Sequence, residues 1–219
     1  MAEGLRLAAS RHRDIDLDPS EFGAGFRIVP NQDDQTLLLD VYLYDTLSGG
    51  AGYADLAARN IEEILQQTLA LLEQCPSHCE ASCESCLRHY HNQYLKDRLD
   101  RNLGAELLRY ALDGTLPEEK TPEAQANLLR NLRRLLELEG FNCESPATID
   151  ETTVPFVVGH SDRQVLVGLR PALLTPTWRD HSFGRLQAGT STVVLNEFIL
   201  GRNLPDEHQM VRGVVLGKQ

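Results

Sequence analysis

The chain has 219 residues, of which 42% are hydrophobic and 24% charged, a globular composition that excludes wholesale disorder. Its 21 basic residues face 32 acidic ones, for a net charge of -11, so nucleic acid cannot be held by bulk electrostatics and only a local basic patch would serve. No apolar run is long enough to span a membrane, and the start, Met1-Ala2-Glu3-Gly4-Leu5-Arg6, lacks the basic-then-apolar order of a signal peptide; a cytoplasmic protein with no membrane partner is expected.

In chain order, residues 2–13 read as a short helix. Asp16-Leu17-Asp18-Pro19-Ser20 supplies a turn. From Phe22 the pattern is extended, and a polar turn at Asn31–Asp34 separates two apolar runs. This predicts a hairpin whose second strand, Leu37–Tyr44, is buried on most of its length. Ser48-Gly49-Gly50-Ala51-Gly52 follows. A strand-to-helix connection of this kind exposes backbone N–H groups that can cradle a phosphate. The same residues more simply make a tight structural turn, and no Gly-Lys-Ser/Thr makes it a Walker A loop. Asp45, just before it, is placed either to cap the turn or to hold an arginine such as Arg98 or Arg101.

A helix is predicted from about Ala54 to Gln74, with Ile61, Ile64, Leu65, Thr68, Leu71 and Leu72 on one stripe. After a cysteine-rich segment a helical pattern resumes through Leu99 and Leu108 to Asp113-Gly114, residues 115–121 form a linker, and Thr121-Pro122-Glu123 opens another helix that Gly140 closes. Strands are expected at Val154–Val158, Gln164–Leu169, Thr192–Leu200 and Val211–Leu216. The fold class is therefore mixed α+β: residues 1–114 a helical module, holding the cysteine-rich segment, after a β-hairpin, and residues 122–219 a helix followed by a small β-rich tail.

Cys75, Cys79, Cys83 and Cys86 fall within twelve residues. Four thiols on a turn-rich connection suit one tetrahedral Zn²⁺ with no open position, a structural rather than a catalytic site. The first backbone amides after Cys86, with Arg88, are placed to offset the thiolate charge. An iron–sulfur cluster uses the same ligand count and is the second choice. Disulfides would need an oxidising compartment that nothing here indicates. Cys143 reads as a small buried hydrophobe, and His78, His89 and His91 as solvated or capping side chains.

Residues 88–101 interleave Arg88, Lys96, Arg98 and Arg101 with Tyr90 and Tyr94. That pattern suits single-stranded nucleic acid, by phosphate pairing and stacking; the one-turn spacing of the tyrosines also suits a core. With Gly49, Gly50 and Gly52, these four basic residues form the candidate nucleic-acid surface.

Taken together, Tyr44-Asp45-Thr46-Leu47-Ser48-Gly49-Gly50-Ala51-Gly52-Tyr53, the four cysteines, and Cys86-Leu87-Arg88-His89-Tyr90-His91-Asn92-Gln93 running to Leu99-Asp100-Arg101 resemble the MrfA-type zinc-binding domain. This domain lies at the C terminus of many DEAD/DEAH-box helicases and in helicase-associated proteins of phage-defence systems such as DISARM and Druantia. The resemblance covers residues 4–113. It implies Cys75, Cys79, Cys83 and Cys86 as zinc ligands and implies no catalytic residue. The spacing of the first two cysteines is wider than in much of the family.

The chain carries no Walker A, DEAH or helicase arginine motif, so ATP hydrolysis would require motor domains elsewhere. It is expected to be a fragment, a split-gene product or an accessory subunit that positions nucleic acid, single-stranded or duplex DNA, or partner domains for a helicase in DNA repair or phage defence. The alternatives are a protein-interaction adaptor without nucleic-acid contact, and a nuclease or hydrolase whose site lies in the C-terminal region. For the last, only the scattered His160, Asp162, Arg179, Asp180 and His181 offer candidate groups.

Overall fold

The computed structural model describes residues 1–217 apart from 32–35, 48, 49, 51 and 176–190. The chain divides into two compact units, Met1–Leu116 and Pro117–Gln219, and is mixed α+β.

The first unit begins with helix α1 (Ala2–Ser10) and continues into strands β1 (Phe22–Pro30) and β2 (Leu37–Asp45). These pair antiparallel from Phe22↔Asp45 to Pro30↔Leu37. The tyrosines of β2 lie over glycines of β1: a Cβ on Gly23 would stand 2.1 Å from the Tyr44 ring, and one on Gly25 2.7 Å from the Tyr42 hydroxyl. The glycines are thus required by the rings that cover them. Arg27 and Asp40 pair at 2.9 Å on the same face.

Only the base of this hairpin is covered. Phe22 is buried, and Val41 and Leu43 pack with α1 residues Leu5, Ala8 and Ala9. Towards the tip, Phe26 (65% exposed), Ile28 (62%) and Leu37 (69%) project into solvent. The expectation of a mostly buried second strand is therefore corrected. Its apolar residues are β-compatible, but the helices beneath it are too short to reach its far half.

The single helix expected over 54–74 is two, α2 (Tyr53–Arg59) and α3 (Ile61–Glu73), broken at Asn60, where φ is -108° and ψ 22°. Of the predicted stripe, α3 buries Ile64, Thr68 and Leu72. Gly4 lets α1 approach α3 closely, since a Cβ there would meet Leu72 and Thr68 at 3.3 Å. The segment expected as one helix after the cysteines is a 3-10 helix, Tyr90–Arg98, and then α4 (Arg101–Asp113), whose N-cap Asp100 accepts from the amides of Asn102 and Leu103.

In the second unit, α5 (Pro122–Leu128) and α6 (Arg130–Leu138) precede β3 (Asn142–Glu144), β4 (Ala147–Ile149), β5 (Thr152–Val154), β6 (Phe156–His160) and β7 (Arg163–Arg170). After these come β8 (Ser191–Asn196), α7 (Glu197–Arg202) and α8 (Leu204–Val215). One sheet has the order β3-β6-β7-β8, with β7 and β8 parallel; β4 and β5 form a separate pair. Leu132 and Leu136 of α6 and Val211 and Val215 of α8 fill the core against Phe156, Val158 and Val167. The fully buried Gln125 accepts from Leu169 N at 2.7 Å and donates to Lys120 O at 2.7 Å.

Two strand expectations are corrected here. Val211–Leu216 lies in helix α8: its β-branched residues suggested a strand, yet Val211 and Val215 are buried four apart, a helical spacing. The strand predicted over 192–200 stops at Asn196, whose carboxamide caps α7 by accepting from Phe198 N and Ile199 N.

Candidate metal centre

The loop between Glu73 and the 3-10 helix folds so that the sulfurs of Cys75, Cys79, Cys83 and Cys86 all lie within 4.8 Å of one another. Four of the separations are 3.6 Å (Cys75–Cys79), 3.5 Å (Cys75–Cys83), 3.6 Å (Cys79–Cys86) and 3.7 Å (Cys83–Cys86). Sulfurs placed tetrahedrally about 2.3 Å from one zinc stand about 3.8 Å apart, so the four thiols fit a single ion. A cluster that assigns each thiolate to a different iron would spread them wider. The separations are also far beyond the ~2.05 Å of a disulfide, and all five cysteines are free. Cys143 is half-buried in the second unit, its thiol pushed up to about 11 by burial.

Burial is graded around the site: Cys75 and Cys86 are buried, Cys79 and Cys83 half-buried. Backbone amides of Cys79 and Ser77 donate to the Cys75 sulfur and hold that thiol below its ordinary value. Burial pushes Cys79 up to about 12. At Cys83 burial acts upward too, but hydrogen bonds from Cys75 and the Ser85 amide outweigh it and bring the thiol to about 6. Four sulfurs within 4.8 Å of one another leave little room for four protons. One divalent cation in place of the protons relieves that crowding.

The loop is bound to its surroundings by Arg101, Asn102 and Arg88. Arg101 donates from Nε to Cys79 O at 2.9 Å and from Nη1 to Leu72 O at 2.9 Å and Glu73 O at 3.2 Å. Its backbone N–H reaches Ala81 O at 2.7 Å. It thereby satisfies carbonyls at the open end of α3 and ties them to the cysteine loop. Asn102 donates to Glu80 O. The Arg88 guanidinium donates to Ser82 O instead of resting on a sulfur. Neither Arg101 nor Asn102 was expected as a clamp, because its partners lie 22 to 29 residues away in sequence.

A second polar network fixes the 3-10 helix to α1. Buried Asn92 donates to Leu87 O at 2.9 Å and to Glu3 Oε2 at 3.1 Å, and accepts from His89 N at 2.8 Å. Glu3 also pairs with Arg6 at 2.8 Å, and Arg6 contacts His89 Nε2. Burial lowers the pKa of His89, which favours a neutral ring beside that guanidinium. His89 caps the 3-10 helix, accepting from His91 N on Nδ1. With Asn92 turned inward, Tyr90 and Tyr94 are turned out, 81% and 82% exposed; they are not core.

At the glycine turn, Gly50 N donates to Leu47 O at 3.0 Å and Gly52 N to Asp45 Oδ2 at 2.9 Å. Asp45 Oδ1 also accepts from Ala54 N. The turn thus closes on its own carboxylate, and these two amides do not form a phosphate cradle. Asp45 takes the capping role and contacts neither Arg98 nor Arg101. Gly49 lies outside the described residues. Lys96 and Arg98 are exposed on the 3-10 helix. In the second unit His160 is exposed against the Phe141 ring, and Arg179, Asp180 and His181 lie outside the described residues. No helix among the described residues is long and apolar enough to cross a membrane.

Residues 7–87 match the family model of the MrfA Zn-binding domain. The Druantia protein DruE of Escherichia coli (strain UMEA 4076-1) is 49% identical over 212 residues, which are 97% of this chain and 11% of that protein. The chain therefore spans only a small part of the length of the relative it matches. No solved structure matches.

Proposed function

Starting from a chain that carries an MrfA Zn-binding domain over residues 7–87, we propose that it is a non-catalytic accessory module of a DEAD/DEAH-box DNA helicase. In this reading it positions nucleic acid or partner domains in phage defence, the setting suggested by its likeness to a Druantia protein, or in DNA repair. Cys75, Cys79, Cys83 and Cys86 hold one structural zinc, which supplies charge neutralisation for four thiolates and cross-links the loop. With all four positions taken by sulfur, no coordination site is left for substrate.

The observation that carries this reading is the tetrahedral spacing of the four sulfurs beside Arg101. Cys75 follows the end of α3, Cys86 precedes the 3-10 helix, and Arg101 opens α4. Gripping the loop therefore fixes the relative placement of three elements, and a rigid mount of this kind can present Arg88, Lys96 and Arg98 to a phosphate backbone. Charge reversal tests the nucleic-acid half. Lys96→Glu with Arg98→Glu should abolish a salt-dependent shift of single-stranded DNA without changing zinc content; wild-type protein that binds no DNA at any salt would refute that half.

A protein-interaction adaptor is the second reading, favoured by the uncovered apolar tip of the hairpin at Phe26, Ile28 and Leu37. It predicts that serine at Phe26 and Ile28 abolishes association with motor domains while leaving DNA binding unchanged.

A further inference from the structure

Tyr90 stands at a shallow concavity of about 550 Å³ lined by Glu84, Arg88, His89, Tyr90, Gln93 and Lys96. The volume falls in the range of small-ligand sites, roughly 300–1,000 Å³. Three features distinguish this place from a random surface tyrosine. Tyr90 is 81% exposed although its segment is anchored internally by Asn92. The His91 ring meets it edge-on, 5.3 Å between centroids at 87°, which restricts its rotation before any ligand arrives. Its cationic neighbours, Arg88 and Lys96, with Arg98 just beyond, form a basic spot on a chain whose net charge is -11.

From that juxtaposition we infer that Tyr90 is a stacking platform for an unpaired base, with Lys96 and Arg88 meeting the flanking phosphates. The site then takes single-stranded nucleic acid in preference to duplex, because a paired base keeps both faces inside the stack and offers none to the ring. A polyanion answers the local charge, and a flat, sequence-tolerant π-face answers the exposed tyrosine. Tyr94, also 82% exposed, lies four residues further along and beyond the kink at Asn92, outside the concavity. The inference rests on the nucleic-acid half of the proposed function and names the strand form and the residue that half leaves open.

The test is fluorescence anisotropy of a labelled oligothymidylate with the whole chain at low salt, zinc content and circular dichroism serving as folding controls. Tyr90→Ala should weaken binding roughly 5- to 150-fold, and Tyr90→Phe should stay within about twofold of wild type. Removing the bases from the oligonucleotide, leaving abasic sugars, should weaken wild-type binding by a similar factor. Against that abasic strand Tyr90→Ala should cost nothing more, the non-additivity that marks a direct contact. Salt-dependent binding that is lost in Lys96→Glu but indifferent to Tyr90→Ala would overturn the platform and leave the nucleic-acid role standing. An absence of binding by the wild-type chain would overturn both.

Discussion

Arg101 Nε donates to the carbonyl of Cys79 at 2.9 Å while its Nη1 donates to Leu72 O at the same distance. One side chain thus joins the cysteine loop to the end of α3. The Leu72 carbonyl, with that of Glu73, is one a helix terminus leaves without a partner.

Arg101→Ala should therefore destabilise the Met1–Leu116 unit by about 2 kcal/mol, the scale of charged hydrogen bonds to carbonyls, and speed the transfer of zinc to a chelator. Arg101→Lys should not restore stability, because one ammonium cannot reach carbonyls that a planar fork spans. Urea unfolding and stopped-flow zinc release read the two effects. Wild-type behaviour in both would assign Arg101 no clamping role.

The hairpin should be asymmetric in its tolerance. Serine at Phe26 or Ile28 should change stability by no more than about 0.5 kcal/mol, as for other exposed sites. Phe22→Ala, at the buried base, should cost about 3–5 kcal/mol. Thermal unfolding of the three variants distinguishes this from a hairpin buried along its length, in which all three would be costly.

Glu207 is 4% exposed with one carboxylate oxygen unpartnered. Burial raises its carboxyl above the ordinary 4.5, overcoming the opposite pull of Arg170. The fold then binds a proton that the unfolded chain releases. The stability linked to that proton is complete below about pH 4.5 and is lost as pH rises through the raised value. Glu207→Gln should be the more stable protein at pH 7, its advantage shrinking on acidification. Parallel stability–pH curves for variant and wild type would contradict this.

How far these features can be read from sequence depends on the range of the interaction. The cysteine cluster lies within twelve residues, so its convergence follows from spacing and ligand chemistry alone. Two apolar runs flanking a polar turn likewise predict the β1–β2 hairpin, and the Ile64, Thr68, Leu72 stripe predicts the helical character of α3 but not the break at Asn60. What covers an element is a different matter. The far half of the hairpin is as apolar as its base, and only the length of the helices beneath decides which half is buried. Tyr90 and Tyr94 have core-like spacing, yet Asn92 takes the inward position because Glu3 and Leu87 O bind it. Val211 and Val215 carry strand propensity, and tertiary packing against β7 and α6 overrides it. Closure of the glycine turn on Asp45, seven to nine residues away, is one of the two roles its position allows, whereas the Arg101 clamp is specified by partners 22 to 29 residues distant, where local pattern carries no information.

Cys143 provides an internal control for the metal account. Cys143→Ala should leave the zinc content unchanged, because its thiol belongs to the second unit and lies outside the four-sulfur group. A drop in bound metal would place a fifth thiol in the chemistry.

The most direct measurement is metal analysis of the purified chain, followed by circular dichroism and limited proteolysis as a strong chelator removes the metal. The expected result is about one zinc per chain, with the Met1–Leu116 unit losing helix and protection as it leaves, since binding energy at such sites, on the order of 10 kcal/mol, is folding energy. A protein that is metal-free, fully reduced and still protected over that unit would contradict the account.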